Sequence, residues 1–288
     1  MMKVNRNEKP MRVAGANLQV AVKGLLVNYT DLGPEDAELL LFVHGFPFNA
    51  SMWQDQLDTF QQDYRVIACD VRGHGQSAPD TEPFSIPLFV NDLLGFMDTL
   101  KLDRAVLCGL SMGGYIAQHA VAASPSRFHA LVLCDTTCSA DSPQARENRL
   151  KTVEELEKDG TAAYAEASLT RLFAANSLRT KTAIVENIRK TILETSVQTL
   201  TQTLLALANR QDTCQALPNI RIPVLILVGE EDAITSPAAA HLMQQNIPGS
   251  QLQVIPDAGH LSNLENPGEF NAQLRSFLSR VFSQPLSN

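Results

Sequence analysis

Apolar residues in this chain fall into two alternating patterns. Short continuous runs, Leu39–Val43, Ala105–Leu110, Ala130–Cys134 and Val224–Val228, read as strands buried on both faces. Between them lie stretches with helical spacing: a helix capped by Ser51 and running to about Gln61, then Asn91–Leu100, the small-residue segment Met112–Ala123, and helices from about Pro237 and Pro267. Tyr64–Asp70 and Gln251–Ile255 complete the strands, and Leu18–Asp31, interrupted by Gly24, predicts a leading hairpin. Strand and helix alternating in this way predict an α/β fold, a mostly parallel central sheet flanked by helices.

The alternation stops between residues 139 and 212. Ile184, Ile188 and Ile192 recur every fourth residue, and Val197, Leu200, Leu204 and Leu207 every third or fourth, so each segment is a helix with one apolar stripe. We expect a helical cap at 139–212 inserted into a core formed by 1–138 and 213–288. An insertion at the carboxyl edge of a parallel sheet lies where ligands bind in such folds.

The net charge of -8, with no clustered basic face, disfavours nucleic acid and anionic membrane surfaces as partners. The apolar runs are far short of the ~20 residues a membrane span needs. The first ten residues are polar and charged and lack the apolar centre of a secretion signal, so the expected location is cytoplasmic. Five cysteines, Cys69, Cys108, Cys134, Cys138 and Cys214, are an odd number, and free thiols are the expectation. Cys134 and Cys138 lack the further ligands a structural zinc would need, and no metal or cofactor is expected.

Chemistry concentrates at Gly109-Leu110-Ser111-Met112-Gly113, a Gly-x-Ser-x-Gly sequence between a predicted strand and a predicted helix. Glycines there allow the tight turn that lifts a serine hydroxyl clear of the sheet. A serine hydroxyl is a weak nucleophile at neutral pH and needs a base and an acid to orient that base. Of six histidines, His119 and His241 fall in helices, His129 precedes a strand, and His44 and His74 sit in early glycine-flanked turns. His260 follows the last strand, at the sheet edge that also carries Ser111. For the acid, Gly229-Glu230-Glu231-Asp232 follows Val224–Val228, and Asp232 is preferred over the earlier Glu230 and Glu231. Asp135, at the end of Ala130–Cys134, is the rival.

An attacked carbonyl oxygen becomes negative and needs pre-placed N–H donors. Met112, directly after the serine, and Phe46, in His44-Gly45-Phe46-Pro47, are the candidates. Asp70-Val71-Arg72-Gly73-His74-Gly75-Gln76-Ser77 matches neither a nucleotide nor a dinucleotide loop and reads as a structural turn. Trp53 and Phe48 are candidates for the core as much as for a pocket.

Together, His44 to Pro47, Asp70 to Ser77, Gly109 to Gly114, Gly229 to Asp232 and Ala258-Gly259-His260 resemble the α/β-hydrolase superfamily over everything except the helical insert. Within it, Cys108 to Gly114 and Ile255 to Pro267, including His260-Leu261-Ser262-Asn263-Leu264-Glu265, look most like 3-oxoadipate enol-lactonases and related carboxylesterases. Those enol-lactonases tend to carry a tryptophan in the cap, where this chain offers Leu172-Phe173.

The resemblance implies a serine hydrolase acting on a small-molecule ester or lactone, with Ser111, His260 and Asp232 as the reacting trio and no cofactor. The same trio would serve a carbon-carbon bond hydrolase or a cofactor-free perhydrolase, and the fold alone would serve a ligand receptor or binding module. A homo-oligomer is compatible with the sequence.

Overall fold

A computed structural model describes residues 12–79 and 82–283. The N-terminal residues behind the expectation of location lie outside them. Eight strands form one sheet: β1 (Gly15–Val22), β2 (Leu25–Leu32), β3 (Leu39–Val43), β4 (Arg65–Cys69), β5 (Ala105–Leu110), β6 (Phe128–Cys134), β7 (Val224–Gly229) and β8 (Gln251–Ile255), in the order β1-β2-β4-β3-β5-β6-β7-β8. The β1–β2 hairpin adds antiparallel pairs at one edge, and β3 to β8 pair in parallel.

Successive side chains of a strand point to opposite faces, and the central strands are apolar on both. Leu41 and Val43 of β3 join one cluster with α2 (Ile86–Thr99), α3 (Met112–Ala123) and α9 (Pro237–Asn246); Leu40 and Phe42 join another with α1 (Gln54–Phe60) and α11 (Pro267–Ser283). Trp53 belongs to this second cluster, fully buried, its ring 5.0 Å from Phe42 and 6.2 Å from Phe270. It packs the core.

Two helix starts differ from the pattern-based expectation. Asn49, not Ser51, caps the first helical segment: its side chain accepts from the Ser51 N–H, and a short 3-10 turn precedes α1. The second helix begins at Ile86, where the Ser85 hydroxyl accepts from Leu88 N–H and Pro87 occupies the first turn. Proline needs no intrahelical partner there, so it starts a helix rather than breaking one.

Between β6 and β7 the chain forms α4 (Pro143–Asp159), α5 (Thr161–Leu172), α6 (Ala175–Thr180), α7 (Thr182–Glu194) and α8 (Val197–Ala208). The last short helix, α10 (Ser262–Glu265), precedes α11. The expectation of free thiols is corrected for two of the five cysteines: Cys138 and Cys214 form a disulfide, while Cys69, Cys108 and Cys134 are free and buried. Parity hid it, since β6 and β7 are neighbours and bring the two ends of the intervening segment together.

Sheet order places the site. From β3 the chain moves one position to β4 and then returns to β3's other side for β5. At such a reversal the loops leaving the carboxyl ends of adjacent strands diverge and open a crevice. Here those loops carry His44 to Pro47 and Ser111.

Candidate functional site

Ser111 stands between β5 and α3 with φ 53° and ψ -111°, a conformation rare for any residue but glycine. Its surroundings make the turn possible. A Cβ at Gly109 would come within 2.2 Å of the Gly113 carbonyl oxygen, and one at Gly113 would lie 2.2 Å from that of Val43. The elbow is fixed by the carbonyl oxygen of Ser111, which accepts from Gly114 N–H and from the Thr136 hydroxyl.

His260 Nε2 lies 2.9 Å from Ser111 Oγ, and its Nδ1 lies 2.9 Å from Asp232 Oδ2. These residues, distant in sequence, therefore form one hydrogen-bonded line at the carboxyl edge of β5, β7 and β8. Asp232 is held in turn: Oδ1 accepts from the N–H groups of Ile234 and Thr235, and Oδ2 from the Thr235 hydroxyl. Sequence reading did not single out Thr235; its signal is the short Asp232-to-Thr235 spacing, which suits a local side chain to backbone turn.

Burial alone would push the His260 imidazole down, but the Asp232 charge and hydrogen bond, with Asp135 and Glu265 adding to them, hold it above its ordinary value. For Asp232, burial works upward and is outweighed by His260 and the Thr235 donors, so its carboxyl stays below the ordinary carboxylate range.

Asp135, the rival acid, is wholly buried and makes no hydrogen bond to His260. Its Oδ1 accepts from Gly229 N–H at 2.8 Å and its Oδ2 pairs with the Ser262 hydroxyl at 2.5 Å, tying the ends of β6 and β7 to α10. Burial first, and the nearby Asp232 charge second, push its pKa up to about 8.

Of the other histidines, His44 is committed elsewhere. Its Nε2 accepts from Val71 N–H while Nδ1 donates to the Gly45 carbonyl, which fixes a neutral tautomer, and burial lowers its pKa to about 4. His74 is also buried, and burial with the neighbouring His44 lowers it to about 3. Asp70 accepts from Ala50 and Gln76 N–H groups and from the Asn28 side chain, so the Asp70–Ser77 segment is the expected structural turn.

Phe46 borders the cavity that holds Ser111, and Met112 follows Ser111 directly in the chain. Gly45 packs against the elbow, where a Cβ would lie 3.3 Å from that of Ser111. Met112 opens α3, and a first-turn N–H has no intrahelical partner. Neither the Phe46 nor the Met112 N–H takes a partner among the described residues.

Above the hydroxyl lies a cavity of about 340 Å³ lined by Phe46, Ser111 and His260 below and by helices of the 139–212 segment above. Its far wall is charged. Asp141 accepts from Arg149 Nε and Arg210 Nη1, both at 2.6 Å, and Arg210 lies 4.6 Å over the Tyr115 ring. Arg149 and Arg171 both line the cavity; the terminal nitrogens of the first and the whole guanidinium of the second make no hydrogen bond among the described residues. With three guanidiniums against one carboxylate, the wall is electropositive in a protein of net charge -8. Sequence reading missed these residues because an arginine on an amphipathic helix looks like an ordinary solvated side chain.

A strained serine and its hydrogen-bonded histidine thus border this cavity. Residues 38–267 match the family model for the alpha/beta hydrolase fold, and the chain belongs to that family. It is similar to 3-oxoadipate enol-lactonase 2 of Acinetobacter baylyi, 31% identical over 91% of this chain and 96% of that protein. Among solved structures it resembles a thermophilic esterase from Thermogutta terrifontis, described with malate bound (34% identity, TM-score 0.87, 92% of this chain and 98% of that one). It also resembles the enol-lactonase from Burkholderia xenovorans (30% identity, TM-score 0.86, 91% and 100%). Among the described residues no helix is long and apolar enough to cross a membrane.

Proposed function

We propose that the protein hydrolyses a carboxylic ester or lactone through an acyl-enzyme on Ser111. The observation that carries this reading is the 2.9 Å contact between His260 Nε2 and Ser111 Oγ on the floor of the cavity. His260 takes the hydroxyl proton as Oγ attacks the carbonyl carbon, Asp232 stabilises the imidazolium, and the Phe46 and Met112 N–H groups receive the developing oxyanion. The imidazolium returns its proton to the leaving alkoxide, or to the ring oxygen of a lactone. The same base then activates water against the acyl-enzyme, which releases the acid and frees Ser111.

The helices at 139–212 act as the cap that gives the cavity its size and charge. Their unpaired guanidinium donors favour a substrate that carries a carboxylate besides the bond to be cleaved, since arginine matches that group with two parallel N–H bonds. This agrees with an enol-lactonase and a malate-bound esterase among the similar proteins. The disulfide fits an oxidising compartment better than the reducing cytoplasm expected from the N-terminal residues.

The test is turnover of esters and lactones of graded size, with and without a second carboxylate, by the wild type and by Ser111→Ala. Hydrolysis that Ser111→Ala reduces by about 10³-fold or more supports the reading. Undiminished hydrolysis in that variant rejects it.

A further inference from the structure

Glu265 has no exposed surface and makes no hydrogen bond to the His260 ring, yet backbone donors surround its carboxylate. Oε1 accepts from Gly259 N–H at 2.9 Å and from Leu261 N–H at 3.4 Å, the residues on either side of His260. Oε2 accepts at 2.9 Å from Ala174 N–H, in the corner between α5 and α6. His260 itself donates its backbone N–H to the Leu172 carbonyl at 2.8 Å. Three consecutive amides of the histidine loop are therefore spent on one joint with the 172–174 corner.

The joint is tight. A Cβ at Gly259 would stand 2.7 Å from Ala174 N and 3.0 Å from the Leu172 carbonyl oxygen. Burying a carboxylate costs several kcal/mol unless donors compensate it. Three backbone amides and the nearby Ser177 hydroxyl offset that cost, while burial still holds the Glu265 pKa above the ordinary carboxylate value. A neutral apolar side chain would fill the space without that cost, which points to a demand for these particular bonds.

We propose that Glu265 is a positioning residue, which locks the loop bearing His260 to the Leu172–Ala174 corner so that the direction of the imidazole and one wall of the cavity are set together. The proposal rests on the reading of Ser111 and His260 given above. Leu172 lines the cavity, so a substrate that seats against this wall bears on the same joint that aims the base. Of the wall's guanidiniums, Arg149 and Arg210 belong to α4 and to the segment after α8, whereas Arg171 adjoins Leu172 of the joint.

Three variants test it. Glu265→Gln keeps size but turns one acceptor into a donor facing an N–H. Glu265→Asp keeps the carboxyl and withdraws it by one methylene. Gly259→Ala wedges the same joint from the other side without altering charge. Each is measured at low temperature on protein shown folded by circular dichroism, for kcat and KM on 4-nitrophenyl acetate and for the downfield proton resonance of His260 Nδ1–H against Asp232.

Misaligning a base by about 1 Å costs up to about 10²-fold. The expected result is a 10- to 100-fold loss in kcat for Glu265→Gln and Gly259→Ala, KM within about twofold, and a shifted or broadened resonance. Lower thermal stability with kcat and the resonance unchanged would assign Glu265 to the fold alone and overturn the proposal. If Glu265→Gln does not fold, the Gly259→Ala and Glu265→Asp results decide by the same criteria. If the wild type hydrolyses no ester, the parent reading fails, and the resonance comparison still decides the joint.

Discussion

Cys138 and Cys214 are joined with their Cα atoms 4.8 Å apart, so a covalent bond closes the neck of the segment inserted between β6 and β7. Seventy-six positions separate the two cysteines. Closing a loop of that length removes conformational freedom from the unfolded chain worth about 4 kcal/mol in the chain-entropy account. Cys138→Ser with Cys214→Ser, or treatment with a reductant, should therefore lower the melting temperature by several degrees, which calorimetry measures. A melting temperature indifferent to reductant would show that the bond does not form in the protein as prepared.

Asp232 and Asp135 divide two roles between two buried carboxyls. Asp232 contacts His260, whereas Asp135 contacts Gly229 and Ser262. Asp232→Asn should cut kcat by about 10²- to 10⁴-fold, since the amide no longer stabilises the imidazolium. Asp135→Asn should cost less in turnover and more in unfolding free energy. Steady-state kinetics beside denaturant unfolding of both variants gives the ordering, and the reverse ordering would make Asp135 the acid.

With His260 as the proposed base, the acid limb of kcat/KM should follow its imidazole. Protonated imidazole cannot take the Ser111 proton, so activity rises as pH climbs through the His260 pKa. Asp232 holds that pKa above the ordinary histidine value against the effect of burial. The limb should accordingly fall above pH ~6.5, and removing the charge in Asp232→Asn should move it to lower pH. A pH-rate profile of the free enzyme measures both. His44 and His74 bear on stability instead: neutral when folded, with pKa values lowered to about 4 and about 3, they bind fewer protons than the unfolded chain below pH ~6.5. Their contribution to stability is lost as pH falls from there toward those values.

Arg149 tests the charged wall. Its Nε is held by Asp141, which leaves the terminal nitrogens for a ligand. Arg149→Leu should raise KM about tenfold or more for a carboxylate-bearing monoester and leave a neutral ester of similar size within about twofold. Comparing the two substrates on wild type and variant reads this out, and equal changes on both would mean the guanidinium only shapes the cavity.

Most of the sheet was legible because central parallel strands are apolar on both faces. Leu39–Val43, Ala105–Leu110 and Gln251–Ile255 appear with the expected bounds. The turn at Ser111 was legible for a related reason, since it leaves no room for side chains at Gly109 and Gly113. What escaped was whatever depends on neighbours remote in sequence. The disulfide needs β6 and β7 to be adjacent, the Asp141–Arg149–Arg210 cluster needs α4 to pack on α8, and the Glu265 bonds need the last loop to meet the 172–174 corner. The start of α2 escaped although its signals are local, Ser85 as the cap and Pro87 in the first turn.

The central claim is that Ser111 becomes covalently acylated. Rapid acid quench of the enzyme turning over a slow ester, followed by peptide mass spectrometry, measures it directly. The account predicts the acyl mass on the peptide holding Ser111, absent from Ser111→Ala, with accumulation increased when His260→Ala is pre-acylated by a reactive ester. Turnover with no acyl adduct at Ser111, or with the adduct on another residue, would contradict it.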